Sequence, residues 1–186
     1  MIWNDHSNLA GKHAVLSPSK GYWSEYGDEQ LLHFFEVAEA AQKGTEDHAF
    51  ACLCIKRRQR LPKSKNTLSM YVNDTIGFLL DPEVCLYYSD NCFGWSDAVG
   101  FDSNENTLRV FDLKTGQNPA DMRQLRIYAA LYCLEYKKKP EDICIELRIY
   151  QSGEFRQEFP EPKDIRKLMN IIIHADKIAE KRKAKG

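Results

Sequence analysis

A chain of 186 residues, 43% hydrophobic and 28% charged with a formal net charge of -1, is long enough for one substantial core. Its near-neutral balance excludes attraction to a polyanion through overall charge, so any nucleic-acid contact must come from local clusters. No apolar run approaches the ~20 residues of a membrane span, and the start, Met-Ile-Trp-Asn-Asp-His, lacks the basic-then-apolar pattern of a secretory signal.

In chain order, residues 1–16 carry His6 and His13 with little periodicity and read as a leading arm. Ser17-Pro18-Ser19 signals a helix start, with Ser17 as N-cap and Pro18 at the first helical position, and predicts a short helix to about Tyr26. Leu31, Leu32, Phe35 and Ala38 predict a helix over Asp28 to Lys43. Gly44-Thr45 is expected to end it, with Thr45 capping the next helix and His48 in that helix's first turn. From Lys56 to Lys65, six positive charges (Lys56, Arg57, Arg58, Arg60, Lys63, Lys65) fall in ten residues without one acid, the densest cluster in the chain. Such runs are usually solvated loops.

Leu68, Tyr71, Val72, Ile76 and Leu79 keep helical spacing over Leu68 to Leu80, and Asp81-Pro82 is expected to stop that helix. Val84 to Tyr88 reads as a strand. Trp95 to Phe101 and Leu108 to Lys114 alternate with period 2, as half-buried strands do. The turn-rich Ser103-Asn104-Glu105-Asn106 between them makes an antiparallel hairpin. With those four residues as the loop, Phe101 stands opposite Leu108, Val99 opposite Val110, and Asp97 opposite Asp112. Opposed Cβ atoms lie about 4.5–5.5 Å apart, so two carboxylates there would repel unless they shared a cation. Lys114, two residues beyond Asp112, shares its face.

Asn118-Pro119-Ala120-Asp121 opens a long helix toward Tyr136, placing Gln124 and Tyr128 four apart on one face. Ile143 to Tyr150 and Glu154 to Phe159 read as strands. Lys163 to about Lys181 reads as a last helix with Ile165, Leu168, Met169, Ile172 and Ala175 on its apolar side and His174 in a structural role. The six cysteines (52, 54, 85, 92, 133 and 144) form no C-x-x-C pair and read as buried free thiols. From Leu68 onward the order is helix, three strands, helix, strand.

The ordered set G-x-x-D at Asp97, D-x-K-T-G at Asp112 and Lys114, and Q-x-x-x-Y at Gln124 and Tyr128 resembles the PD-(D/E)XK nuclease superfamily. Within it the set is most similar to the RecB-type exonucleases, including CRISPR-associated and phage-encoded members. L-S-P-S-K at Ser17, Ser19 and Lys20 resembles their N-terminal L-S-x-S motif, and G-T-x-x-H at His48 the motif supplying a metal-ligating histidine. The resemblance implies an α/β fold, a central mixed sheet flanked by helices with a restriction-endonuclease-like αβββαβ core and N-terminal helices. It implies one domain over 1–186, with a helical part at about 17–66, a core at about 67–150, and a strand and helix at 151–182. It implies Mg²⁺ or Mn²⁺ on His48, Asp97, Asp112 and the Leu113 carbonyl, with Asp97, Asp112, Lys114, Gln124 and Tyr128 catalytic. Ser17, Ser19, Lys20, Lys56, Arg57, Arg58 and Arg60 are then expected to contact DNA. The family's iron–sulfur members carry a Cys-Pro where this chain has Tyr26-Gly27, and no cysteine triplet lies near the C-terminus, so no cluster is expected. The implied activity is metal-dependent DNA hydrolysis, by an exonuclease or by a site- or structure-specific endonuclease, with a non-cutting DNA binder as alternative. The implied setting is the cytoplasm of a bacterial or phage-infected cell, with DNA, a homo-oligomer or a recombination protein as partners and no membrane.

Overall fold

The structure, a computed structural model, describes residues 26–184 except Gln117. The chain divides into two compact units, Met1–Thr45 and Glu46–Gly186. Of the first, the described part is Tyr26, Gly27 and helix to Thr45, in which Tyr26 meets Phe34 edge-on at 6.1 Å. The expected helix at Ser17, with Ser19 and Lys20, lies outside the described residues.

The second unit is α/β: a five-stranded open mixed sheet in the order β1-β2-β3-β4-β5 with helices on both faces. The elements are α1 (Asp28–Lys56), α2 (Thr67–Gly77), β1 (Asp81–Ser89), β2 (Cys92–Asp102), β3 (Thr107–Leu113), α3 (Arg123–Glu135), β4 (Cys144–Gln151), β5 (Glu154–Glu158) and α4 (Pro162–Lys183). Neighbouring strands are antiparallel except β3 and β4, which α3 links as a parallel pair. One face packs Val99, Val110, Leu147 and Ile149 against α3 and α4. The other packs Ala98, Phe111, Leu113 and Tyr150 against α2 and residues 51–55 of α1. No helix among the described residues is long and apolar enough to cross a membrane.

Several local expectations are corrected. Gly44-Thr45 does not break the helix: α1 is continuous, and the Thr45 hydroxyl donates to the Ala41 carbonyl at 3.1 Å. That bond to the preceding turn satisfies the side chain inside a helix, where a cap would instead satisfy free N–H groups. His48 therefore lies deep in a helix rather than in a first turn. α2 begins where Asn66 accepts from Leu68 and Ser69 N–H, and ends at Gly77, before Asp81-Pro82. Leu79 is left-handed (φ 58°) and Leu80 N–H returns to the Thr75 carbonyl, a helix end closed by its own backbone. Asp81 and Pro82 instead open β1, an edge strand, where a missing N–H is tolerated.

Asn118 does not cap α3, which starts at Arg123. The Asn118 and Gly116 carbonyls accept from Gln151 Nε2 instead, at 2.7 and 2.6 Å. β3 is buried along its whole length rather than half-buried, because both its faces carry helices. Cys52, Cys54 and Cys133 are buried and unpaired, whereas Cys144 is exposed. Ala175 and His174 are exposed on α4, so neither belongs to its core side.

Candidate active site

β3 carries the chemistry to its end. Asp112 follows Val110 on the face toward α3, and its side chain is only 4% exposed. Lys114 lies just past the strand, its N–H donating to the Tyr150 carbonyl at 2.9 Å, so β4 fixes the backbone there. The Lys114 ammonium sits 3.1 Å from Asp112 Oδ1 and 3.0 Å from Oδ2, but its hydrogen bond goes to Oδ1. Oδ2 is buried without a hydrogen bond. Leu113, between them, turns its side chain to the α2 face.

The β2–β3 register matches the expected hairpin from Asp102–Thr107 through Phe101–Leu108 and Val99–Val110 to Ala98–Phe111, and stops there. Asp97 and Asp112 are not ladder partners. Asp97 Oδ2 instead accepts the Leu113 N–H at 3.0 Å, and His48 Nδ1 lies 3.5 Å from the same oxygen.

A face change in β2 accounts for this. Leu86, opposite Gly94, packs toward α3, and a Cβ on Gly94 would lie 3.0 Å from Tyr128 of that helix. Ala98, four residues on, packs toward α2. Residues an even number apart share a face in a regular strand, so β2 reverses between them. The β1–β2 pairs run from Pro82–Ala98 to Val84–Ser96 and omit Glu83 and Asp97; Glu83 has φ 53°, a costly region for a non-glycine residue. Asp97 is thereby released from the ladder toward α1.

The electrostatics follow from burial. Desolvation, then the Asp97 charge, pushes the Asp112 carboxyl up to about 6, against the opposing pull of Lys114 and His48. His48 is raised above its ordinary value, chiefly by its bond to Asp97. Tyr71 of α2, buried at 2% exposure, is raised well above the phenol range by desolvation and then by Asp97 and Asp112. It packs in the α2-face core within reach of both carboxylate charges, and helical spacing alone marks it only as core.

From Lys114 a chain of hydrogen bonds crosses to α3 and back to β2. Lys114 Nζ donates to Gln124 Oε1 (3.2 Å), Gln124 Nε2 to Tyr128 Oη (3.4 Å), and Tyr128 Oη to the Trp95 carbonyl (2.5 Å). Tyr128 is thus tied to the backbone with its ring over Gly94, and its hydroxyl is not free for a ligand. Gly94 is the glycine of the G-x-x-D motif, but its contact with Tyr128 and the bond to the Trp95 carbonyl escape sequence reading, because no spacing rule links a strand carbonyl to a tyrosine 33 residues later.

Among the described residues no group of three or more His, Cys, Asp or Glu is gathered so as to hold a metal ion. As placed, Lys114 lies against Asp112 and His48 against Asp97. The donors suit a hard divalent cation in kind: carboxylate oxygens, one of them buried without a hydrogen bond, with an imidazole that favours Mn²⁺ over Mg²⁺.

The basic segment is exposed, but part of it is structural. Arg58 donates to the Leu80 carbonyl (3.4 Å) and pairs with Asp81 (3.6 Å), Lys56 pairs with Glu83 (3.7 Å), and Arg60 donates to the Asn73 carbonyl (3.3 Å). Arg57, Lys63 and Lys65 are exposed. Comparison with family models, with curated proteins and with solved structures finds no match.

Proposed function

We propose that the protein is a metal-dependent DNA nuclease of the PD-(D/E)XK kind, an exonuclease of the RecB type. One observation supports this above the others: Asp112 is buried beside Lys114 and Asp97 with its carboxyl pushed up to about 6, and its Oδ2 has the Lys114 charge nearby but no hydrogen bond, a cost that folding alone does not require. The order α2-β1-β2-β3-α3-β4 is read as the αβββαβ core. Asp97, Asp112, the Leu113 carbonyl and His48 would hold Mg²⁺ or Mn²⁺. When bound, such an ion supplies an acidified water and neutralises phosphate charge.

The chain's own groups do the rest. Asp112 must be ionised to act, and with its carboxyl pushed up to about 6 the ionised form takes over only as pH rises past that value. Lys114, held between Asp112 and Gln124, offers its cation to the negative charge that builds on the phosphoryl oxygens as water attacks phosphorus and the P–O ester bond breaks. Gln124 aims Lys114, and Tyr128 aims Gln124. His48 keeps the Asp97 carboxylate toward the site. The setting implied is cytoplasmic DNA of a bacterium or its phage.

The test is digestion of matched linear and circular DNA with Mg²⁺ or Mn²⁺. Linear substrate should be degraded and circles spared, and Asp112→Ala or Lys114→Ala should remove at least ~10³-fold of the rate while the protein stays folded. Equal cutting of circles would make it an endonuclease. Wild-type rates in a highly purified Lys114→Ala protein would sink the nuclease reading.

A further inference from the structure

We infer that Trp95 is a stacking platform for an unpaired base, so that the substrate is single-stranded or frayed at the point of cutting; this rests on the nuclease reading of the site. Trp95 is 63% exposed, among the most exposed large hydrophobic side chains of the described residues. It stands two residues before Asp97 in β2, about 7 Å along the strand. Its backbone is the far end of the hydrogen-bonded chain from Asp112 through Lys114, Gln124 and Tyr128. Only its carbonyl joins that chain: Gly94 faces Tyr128, so alternation turns the Trp95 indole to the opposite face, the one on which α1 packs and His48 meets Asp97.

An exposed indole offers a nucleic acid only a flat apolar face. Phosphates have nothing to gain from that face, and paired bases are stacked on each other, so its partner is a base freed from the duplex. Tyr128 does not fill this role, since its ring lies over Gly94 and its hydroxyl is bonded to the Trp95 carbonyl. Charge limits the path of the strand. At the β1–β2 turn, Asp90, Glu135, Asp176 and Glu180 surround Tyr87, Ser89 and Asn91, and would repel phosphates. The exposed Phe93, packed against Tyr87 at 6.3 Å, belongs to that acidic end. A bound strand then leaves Trp95 toward Asp97, not toward the turn.

The experiment compares wild type, Trp95→Ala, Trp95→Phe and Trp95→Leu on an unstructured oligonucleotide and on its duplex. Binding is measured by fluorescence anisotropy without metal, and cleavage with Mg²⁺ or Mn²⁺. Expected is a loss of roughly 5- to 150-fold in single-strand affinity and kcat/KM for Trp95→Ala, a smaller loss on duplex, and rescue by Phe but not by Leu. Equal losses on both substrates, no loss on the single strand, or rescue by Leu would overturn the inference. Cleavage by wild type with Trp95-independent binding refutes the inference and leaves the nuclease reading. Trp95-dependent single-strand binding without any cleavage supports the platform and refutes the nuclease reading.

Discussion

Replacing Asp112 by Asn exchanges a buried carboxyl for an amide of nearly the same shape. With an ordinary pKa of 3.8 in the unfolded chain and about 6 in the fold, Asp112 ionises less readily when folded. At 1.36 kcal/mol for each pH unit the difference is about 3 kcal/mol. The sign is opposite to that of a salt-bridged carboxylate. The folded state is favoured when Asp112 is protonated, loses stability as pH rises from about 4 to 6, and carries the whole cost at pH 8. An amide has no such dependence, and its oxygen still accepts from Lys114. Asp112→Asn should therefore be more stable than wild type at pH 8, by about 1–3 kcal/mol once the weakened Lys114 pairing is discounted. The gain should fall below about 1 kcal/mol at pH 4. Urea denaturation of both proteins at pH 4, 6 and 8 in chelating buffer measures this. A variant less stable than wild type at pH 8, or a gap that does not change with pH, would refute the reasoning. Mg²⁺ or Mn²⁺ at a hundredfold excess over its dissociation constant should then raise wild type by about 2.7 kcal/mol and leave the amide variant nearly unmoved.

Three further outcomes are expected. Glu146, 5% exposed at its side chain, is bonded to Arg109 at 2.8 Å and to Arg148. Glu146→Ala should cost about 1–3 kcal/mol in chemical denaturation, because it removes a charged hydrogen-bond partner from both guanidinium groups while Arg109 keeps Glu105 and Asp102 and Arg148 keeps Asp74. Thr45→Ala should leave stability unchanged or raise it by a few tenths of a kcal/mol, whereas loss of a true N-cap would cost about 1 kcal/mol; a loss of that size would contradict the continuous α1. Reversing Arg57, Lys63 and Lys65 to Glu should weaken DNA binding and flatten its dependence on salt with the melting temperature unchanged, and an unaltered salt slope would remove this segment from the interface.

Hydrophobic period and turn chemistry in the sequence determined the element order, the β2–β3 register from Asp102 to Ala98, and the placing of Asp112 and Lys114 on one face at the end of β3. These depend on neighbours within a few residues, and local rules govern them. Local rules also misplaced the ends of helices. Gly44-Thr45 reads as a break and Asn118-Pro119 as a start, but Thr45 finds its partner one turn back and the Asn118 carbonyl finds Gln151 across the sheet.

The position of Asp97 was beyond any period-2 argument. It depends on a left-handed Glu83 in the neighbouring strand and on the loss of one ladder row, and only the paired strands reveal that. The raised pKa of Asp112, the electrostatic reach of the carboxylates to Tyr71 and the tie from Tyr128 to Trp95 are likewise tertiary. Each arises where distant segments exclude water from the same few ångströms, and charge and solvation act through space, not along the chain.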